Sequence, residues 1–421
     1  MLYRRFVKMG DRRILYIVRR LPHPLDVGQR IRQFHILSAY ARVGEVTLLF
    51  TYENEAELDG MRALEPHCAG FHPVPVDWRG KSQRPGPSHW RRELRDSGTV
   101  RPFQAGLFFS PEMRKAAEQI APGCSLIHVS RFCMAPHVES LLRTRPADQR
   151  FVLDLDDIET VARRRWLRIS PPVQWQAKIA EYFDLVLLWR YQRKALRLFN
   201  RVFVCSEPDR DRLGSRNVAV VPNGTDVEKE MLLDDSDGRT VLCLGTYGYE
   251  PNVDGLCFFL SEILPLIRQR IPDVRLLIVG RDMPPRISAL HDGKKLIVSA
   301  NVPSVEPHYR EATISVVPLR AGGGTRLKIL EAFALGRPVV STSIGCEGLD
   351  IIGGEHLFIA DKPAAFAESC VTLLLNPGLR KQLTLNARQV AEQKYSWDAI
   401  ERRIGELAGE LLGGHSTPTA V

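Results

Sequence analysis

The densest chemistry in this sequence lies between Pro318 and Ser343, PLRAGGGTRLKILEAFALGRPVVSTS. A buried strand ends at Pro318, and three glycines follow, Gly322, Gly323 and Gly324. Thr325 has the side chain of an N-cap, and the apolar spacing beyond it predicts a helix over 326–335. Gly336 and Pro338 stop that helix. A glycine-rich turn leading into a helix presents backbone N–H groups at the positive end of the helix dipole, which suits an anion and above all a phosphate. Any side chain there would hold the backbone off the ligand. Lys328 and Glu331 are three apart and share one helix face. A lysine in the first turn opposes the dipole, and it fits there if a diphosphate pairs with it. Glu331, one turn deeper, can accept hydrogen bonds from two ribose hydroxyls. Lysine, glycine turn and glutamate together read as a nucleotide diphosphate site, with Arg326 as a second cation beside Lys328. An ordinary i,i+3 ion pair beside a tight turn uses the same residue types, so that reading stands next to it.

A second group of candidates lies in the first half. Gly28 follows the first strand by ten residues and is either a ligand-facing loop glycine or part of a simple β-α turn. Arg32 falls in the opening turns of the next helix. His128 and Arg131 flank the end of a predicted strand, Leu126–Val129, and strand C-termini line the crevice in open α/β sheets. Asp154, Asp156 and Asp157 end the following strand in DLDD. Such carboxylates bind ligand hydroxyls or a divalent metal. There is no G-x-x-x-x-G-K-[ST], H-E-x-x-H or strand-borne G-x-G-x-x-G, which weakens the kinase, zinc-hydrolase and dehydrogenase readings.

The elements that must position these residues read as alternating strands and helices. In the first half, strands are predicted at Arg13–Val18, Glu45–Phe50, Leu126–Val129, Phe151–Leu155, Arg201–Cys205 and Val218–Val221, with helices over 30–41 and 173–199. In the second half they fall at Val241–Gly245, Val274–Gly280, Lys295–Ser299, Ile314–Pro318 and Pro338–Thr342, with a helix near 253–270. Such alternation predicts parallel sheets covered on both faces. Asp77–Pro102, rich in Arg and Pro, reads as an irregular surface excursion. The acidic run Asp226–Asp237 reads as a linker. At 421 residues, the chain is long enough for two cores.

Charge is split between the halves. Residues 1–225 carry +13 and the remainder −4, against a total of +9. Basic residues cluster in 4–20, 84–101 and 163–168. Either the front half meets an anionic partner, or it has an Arg-rich solvated surface. No aromatic-basic motif accompanies the charge, which argues against nucleic acid. The eight cysteines show no C-x-x-C spacing and read as reduced, buried thiols of a cytoplasmic protein. No apolar stretch approaches membrane-spanning length, and the N-terminus lacks a signal-peptide core. Membrane attachment, if present, is then expected to be electrostatic and lost at high salt.

The glycine-turn segment resembles the donor-site signature of the retaining GT-B glycosyltransferases of family 4, E-x7-E followed by A-x-A-x-G-x-P-V-V. The resemblance extends over nearly the whole chain. Val220–Asp226, VVPNGTD, resembles the end of that family's N-terminal domain. Gly245-Thr246-Tyr247 through Pro251-Asn252-Val253-Asp254 resembles the first strand and loop of its C-terminal domain, and Pro272–Gly280 its second strand. Tyr395-Ser396-Trp397 resembles the start of its closing helix. Within the family the pattern is similar to capsule and exopolysaccharide sugar transferases. Glu331 matches the second glutamate of the pair, while the first falls at Gly323, so its contact to the donor sugar is not carried over.

The resemblance implies an α/β GT-B fold: two facing Rossmann-like domains, a cleft between them, and a C-terminal helix crossing back. The expected domains are 1–228 on the acceptor side, 229–394 on the nucleotide-sugar side, and 395–421 as the closing helix. It implies sugar transfer, with retention, from a nucleotide diphosphate donor to a hydroxyl of a saccharide or lipid-linked acceptor, without a cofactor and without a metal at Asp154, Asp156 and Asp157. Gly28 resembles the family's glycine loop facing the donor phosphates. Gly322–Thr325, Lys328 and Glu331 are the donor-side residues, and Arg32, Arg131, Asp156 and Asp157 the acceptor-side ones. The family's catalytic-side histidine falls at Ser130, two residues beyond His128, which is either a catalytic-side or a structural histidine. A nucleotide-sugar epimerase and a catalytically silent scaffold are the alternatives on the same fold.

Overall fold

The computed structural model describes residues 12–78, 90, 91, 94, 100–144, 146–170, 175–228, 231 and 237–413. Most of the 77–102 excursion with its 84–101 basic cluster, the start of the 4–20 basic cluster and most of the 226–237 run lie outside the described residues. The chain divides into two compact units. Among the described residues, the first takes 12–160, 175–221 and 400–413, and the second takes 161–170 and 222–399.

The first unit is built on a sheet of seven strands among the described residues: β1 (Arg13–Ile17), β2 (Glu45–Tyr52), β3 (Gly70–Pro75), β4 (Leu126–Ser130), β5 (Arg150–Leu155), β6 (Arg201–Val204) and β7 (Val218–Val220). They run in the order β3-β2-β1-β4-β5-β6-β7, every neighbour parallel. Ile14, Leu15, Tyr16 and Ile17 are all fully buried, as strands sandwiched between two helical layers must be. β3, GFHPVP, is not among the expected strands, and it contains two prolines. It survives as a sheet edge, where a missing N–H costs little.

The second unit repeats the plan with β8 (Thr240–Thr246), β9 (Arg275–Arg281), β10 (Leu296–Ala300), β11 (Ile314–Val317), β12 (Val339–Ser341) and β13 (Phe358–Ile359). The order is β10-β9-β8-β11-β12-β13, again parallel throughout. The helix expected near 253–270 runs from Glu250 to Arg270 through a π-helical segment at Phe259–Ile263. In both sheets the strand order reverses, between β1 and β4 and between β8 and β11. Open α/β sheets bind ligands outside the strand C-termini at such points.

A buried ion pair organises the first unit. Arg32, on the helix Gly28–Ala41, is 1% exposed. Its Nε donates to Asp154 Oδ2 at 2.9 Å and its Nη2 to Oδ1 at 2.6 Å, while Nη1 donates to the Val221 carbonyl at 2.9 Å. One side chain thus joins the helix after β1, the end of β5 and the residue after β7. This corrects Arg32 as an acceptor-side contact, since its guanidinium fork is filled by the protein. Gly28 is the first residue of the same helix.

The helix Trp397–Gly413 begins beside Thr225, whose N–H donates to the Tyr395 carbonyl at 2.7 Å. From residue 400 it packs with the first unit. There Glu401 meets His35 Nδ1 at 2.7 Å and Arg42 Nη2 at 2.5 Å.

Replacing Arg32 with Met leaves Asp154 buried and unpaired. The expected loss is about 3–5 kcal/mol in the unfolding free energy of the first unit. Urea denaturation followed by circular dichroism reads it, and the double variant Arg32→Met/Asp154→Leu is expected to recover much of the loss. An unchanged midpoint for Arg32→Met would show that the pair does not hold the unit together.

Candidate functional site

The glycine turn follows β11, one of the two strands that flank the switch point of the second sheet. Gly322 has φ 115°, a conformation L side chains rarely adopt. A Cβ there would sit 2.7 Å from the Arg326 guanidinium. The following helix is Leu327–Ala334, with Arg326 in extended conformation as its N-cap and no capping bond from that side chain. The expected cap, Thr325, therefore lies one residue outside. Its hydroxyl accepts instead from Asn223 Nδ2 at 3.1 Å, and both residues are buried. Arg326 turns back on the loop and donates to the Gly323 carbonyl. Its guanidinium covers the turn and does not project from the helix.

Lys328 points toward the C-terminal end of β8. Its Nζ donates to the Leu244 carbonyl at 2.5 Å and to Asn252 Oδ1 at 3.1 Å. Burial, opposed by the Cys243 thiol and aided by the Arg326 charge, pushes its pKa down to about 8. Asn252 is itself fixed, its Nδ2 donating to the Thr246 carbonyl at 2.8 Å. An ammonium has three donors, and two are taken here. Glu331 lies one turn on, half-buried like Lys328, while Ile329, Leu330, Ala332 and Phe333 pack inward. The Tyr309 hydroxyl donates to the Lys328 carbonyl at 3.0 Å and lies 3.4 Å from Glu331 Oε2. Lys328 and Glu331 thus share a face, and the Tyr309 hydroxyl touches both, the backbone of the first and the carboxylate of the second.

Arg165 reaches the same turn. It lies on the helix Glu159–Ile169, in the part that belongs to the second unit. Its Nη1 donates to the Gly322 carbonyl at 3.1 Å, and its two terminal nitrogens clamp Glu347 at 2.5 and 2.8 Å. Sequence reasoning placed this arginine in a surface cluster. Nothing local marks it, because its partners lie 157 and 182 residues away.

The first-unit candidates divide. His128 is fully buried in the sheet, ringed by Tyr16, Tyr40 and Phe203, and shares a 2.7 Å hydrogen bond between Nδ1 and the Tyr40 hydroxyl. Burial and the Arg32 charge push its pKa down to about 3, so it stays neutral. It is a structural histidine, which corrects it as a catalytic residue. Arg131 sits where expected, just past β4 at the first switch point, with φ 69°. Such strain in a non-glycine residue needs surrounding contacts to hold it. Its N–H donates to the Asp154 carbonyl at 2.9 Å, and its side chain reaches Gln29 at 3.1 Å and Glu159 at 3.3 Å. Asp156 and Asp157 are half-buried beyond β5, and the Cys205 thiol donates to the Asp156 carbonyl at 3.1 Å. Asp154 points away into its pair with Arg32. No group of three or more His, Cys, Asp or Glu that could hold a metal ion occurs among the described residues. All eight cysteines are free thiols; Cys257 is exposed and Cys68 half-buried, so the expectation of uniform burial holds for six.

The Lys328 site depends on how closely β8 and β9 approach. A Cβ on Gly280 would fall 1.7 Å from the Gly245 carbonyl oxygen, one residue beyond the carbonyl that holds Lys328. Gly280→Ala must force the two backbones apart, at an expected cost of about 3 kcal/mol or more. A thermal unfolding midpoint for this variant matching the wild type would contradict the packing described.

Residues 238–376 match the family model of the group 1 glycosyl transferases. The chain is 24% identical over 397 residues to an uncharacterized 44.6 kDa protein in the cps region of Klebsiella pneumoniae, covering 91% of this chain and 96% of that protein. It is 30% identical over 218 residues to a phosphatidyl-myo-inositol mannosyltransferase of Mycobacterium tuberculosis, covering 48% of this chain and 56% of that enzyme. The match therefore spans little more than half of the mannosyltransferase. Among solved structures, sucrose-phosphate synthase from Thermosynechococcus elongatus superposes with a TM-score of 0.69 at 20% identity, over 96% of this chain and 100% of that one. Anabaena HepE in complex with UDP and glucose gives 0.60 at 15%, over 95% and 100%. The fold is that of the GT-B glycosyltransferases, and the segment that carries the glycine turn, Lys328 and Glu331 matches the group 1 glycosyl transferase family.

Proposed function

We propose that this protein is a glycosyltransferase that moves a sugar from a nucleotide diphosphate donor to a hydroxyl of a saccharide or lipid-linked acceptor, with retention, in polysaccharide or glycolipid assembly. The observation that carries the reading is the desolvated Lys328 ammonium at the switch point of the second sheet, beside a glycine turn and a helix N-terminus. The donor diphosphate lies along the turn. Lys328 directs its third N–H to a phosphate oxygen, and Glu331 accepts from the ribose hydroxyls. As the bond from the sugar's anomeric carbon to phosphate breaks, its electron pair moves onto the diphosphate. Fixed dipoles and a cation already in place stabilise that charge without reorganising. The acceptor hydroxyl attacks from the face the diphosphate leaves, and its proton passes to a diphosphate oxygen. No side-chain nucleophile is needed. The UDP complex of Anabaena HepE makes UDP the first nucleotide to test.

A thermal-shift screen with UDP, GDP, ADP and dTDP identifies the donor base, because a bound ligand raises the melting temperature by linkage. Transfer to an acceptor is then followed by release of that diphosphate. A protein that binds a nucleotide and never turns over its sugar conjugate would be a scaffold, and the reading would fail.

Lys328→Ala is expected to slow turnover by roughly 30- to 1,000-fold, the equivalent of about 2–4 kcal/mol of leaving-group stabilisation. The lowered pKa adds a pH signature. Lys328 is charged below about pH 8 and loses its proton as pH rises through that value. Diphosphate affinity should therefore fall by up to about tenfold per unit above pH 8. In Lys328→Met that fall should vanish. Wild-type affinity that stays flat to pH 9.5 would remove the ammonium from the site.

Glu331→Ala should weaken nucleoside diphosphate binding by about 1.5–3 kcal/mol per hydrogen bond lost and leave the fold intact. Calorimetry with the ribose and the 2′,3′-dideoxyribose forms separates the roles. If the variant binds the ribose form as tightly as the wild type does, Glu331 makes no ribose contact.

A further inference from the structure

The helix Trp175–Leu198 has 24 residues, which makes it about 36 Å long. One side packs into the first unit, with Ala180, Asp184, Leu188 and Gln192 buried at intervals of four. The opposite side carries Trp175, Ile179, Tyr182, Val186 and Trp189, spaced alternately four and three apart, so that they form one row. All five are exposed, Trp175 by 69%, Ile179 by 58% and Val186 by 54%. Phe183 lies at the edge of the row, 47% exposed, with its ring edge-on to Trp90 at 4.6 Å between centroids. Single exposed apolar residues are ordinary, whereas a contiguous row marks an interaction surface.

The row has a basic continuation. Arg190, Arg193 and Arg197 follow along the same side and are exposed, and Lys178 is exposed near the other end. The Arg193 guanidinium lies over the Trp189 ring at 4.9 Å. The two carboxylates of this helix lie off the row. Asp184 is fully buried and accepts from the Phe103 N–H at 2.6 Å, and Glu181 sits five residues before Val186.

We propose that this face docks the protein in the plane of an anionic membrane surface. The aromatic and aliphatic row enters the boundary between headgroups and acyl chains, and the arginines meet lipid phosphates. The chemistry selects this occupant. Tryptophan and tyrosine favour that boundary because each has an apolar body and a polar tip, and arginine stems lie along apolar surface while their heads stay wet. A second copy of the same helix would bring arginines without carboxylates on the row to receive them. No helix among the described residues is long and apolar enough to cross a membrane. Docking by this face differs from the purely electrostatic attachment expected from charge alone. Salt should weaken it without abolishing it, because the apolar row is insensitive to screening. Of the basic clusters behind that expectation, 163–168 is partly spent within the protein, with Arg165 on Glu347.

The test uses the full chain and vesicles of phosphatidylcholine with and without phosphatidylglycerol. Wild-type protein is expected to sediment with the anionic vesicles, and partly so at high salt. Ile179→Glu/Val186→Glu should lose at least about tenfold in affinity. Arg190→Gln/Arg193→Gln/Arg197→Gln should bind more weakly and with little salt dependence. Circular dichroism and the nucleotide thermal shift, unchanged in both, verify folding independently of the membrane. Brominated lipid should quench wild-type tryptophan fluorescence, and Trp175→Phe/Trp189→Phe should remove most of that quenching. The proposal is overturned if wild type ignores anionic vesicles at low salt, or if the Glu pair binds as wild type does. It is equally overturned if sedimentation velocity shows a dimer that the Glu pair dissolves.

Discussion

An ammonium drawn partly out of water must find hydrogen bonds inside the protein, and Lys328 finds them on the end of β8. Its partners are a backbone carbonyl and an amide oxygen. Neither is charged, so the cation is solvated without being neutralised. That separates it from an ordinary ion pair, where a carboxylate would cancel the field an anionic ligand meets. Much of the second unit serves the arrangement. Gly245 and Gly280 let β8 and β9 close up beside the Leu244 carbonyl. Asn252 is fixed by the Thr246 carbonyl, and Tyr309 pins the backbone of Lys328 itself. The lowered pKa is the measure of the burial these contacts must offset.

The first unit uses a different solution at its own switch point. There the buried arginine is neutralised, by Asp154, and the pair joins three elements. Arg131 stands at the end of β4 in a conformation that costs backbone energy, held by Gln29, Glu159 and the Asp154 carbonyl. One sheet end carries an uncancelled cation and a glycine turn. The other carries a cancelled pair and a strained arginine. The same topology thus ends in two chemically unequal ways.

Strand order and helix placement were largely legible because both sheets are covered on both faces. Uninterrupted runs such as ILYI and LLIV can then be little else than buried parallel strands. The same property hid His128. Every residue of β4 is buried, so alternation could not tell an inward side chain from one at the crevice. Thr325 was misread as a cap because capping preference is local, while the bond that holds its hydroxyl comes from Asn223, about a hundred residues earlier. Arg165 was invisible as a site residue for the same reason. The helix Trp175–Leu198 was legible as a helix over 173–199, but a helical pattern does not say which of its faces is covered. Only the fold shows that the face opposite the exposed row went inward.

The first unit is discontinuous in sequence. Glu401, which holds His35 and Arg42, belongs to it but follows the whole second unit along the chain. During synthesis at ~5–20 residues per second, residues 222–399 occupy the ribosome for roughly ten to forty seconds. Throughout that interval the surface of Gly28–Ala41 that will receive the last helix stays bare. The second unit, apart from residues 161–170, is contiguous and can fold as it emerges. The carboxylate that closes the older unit is therefore made only after residues 222–399.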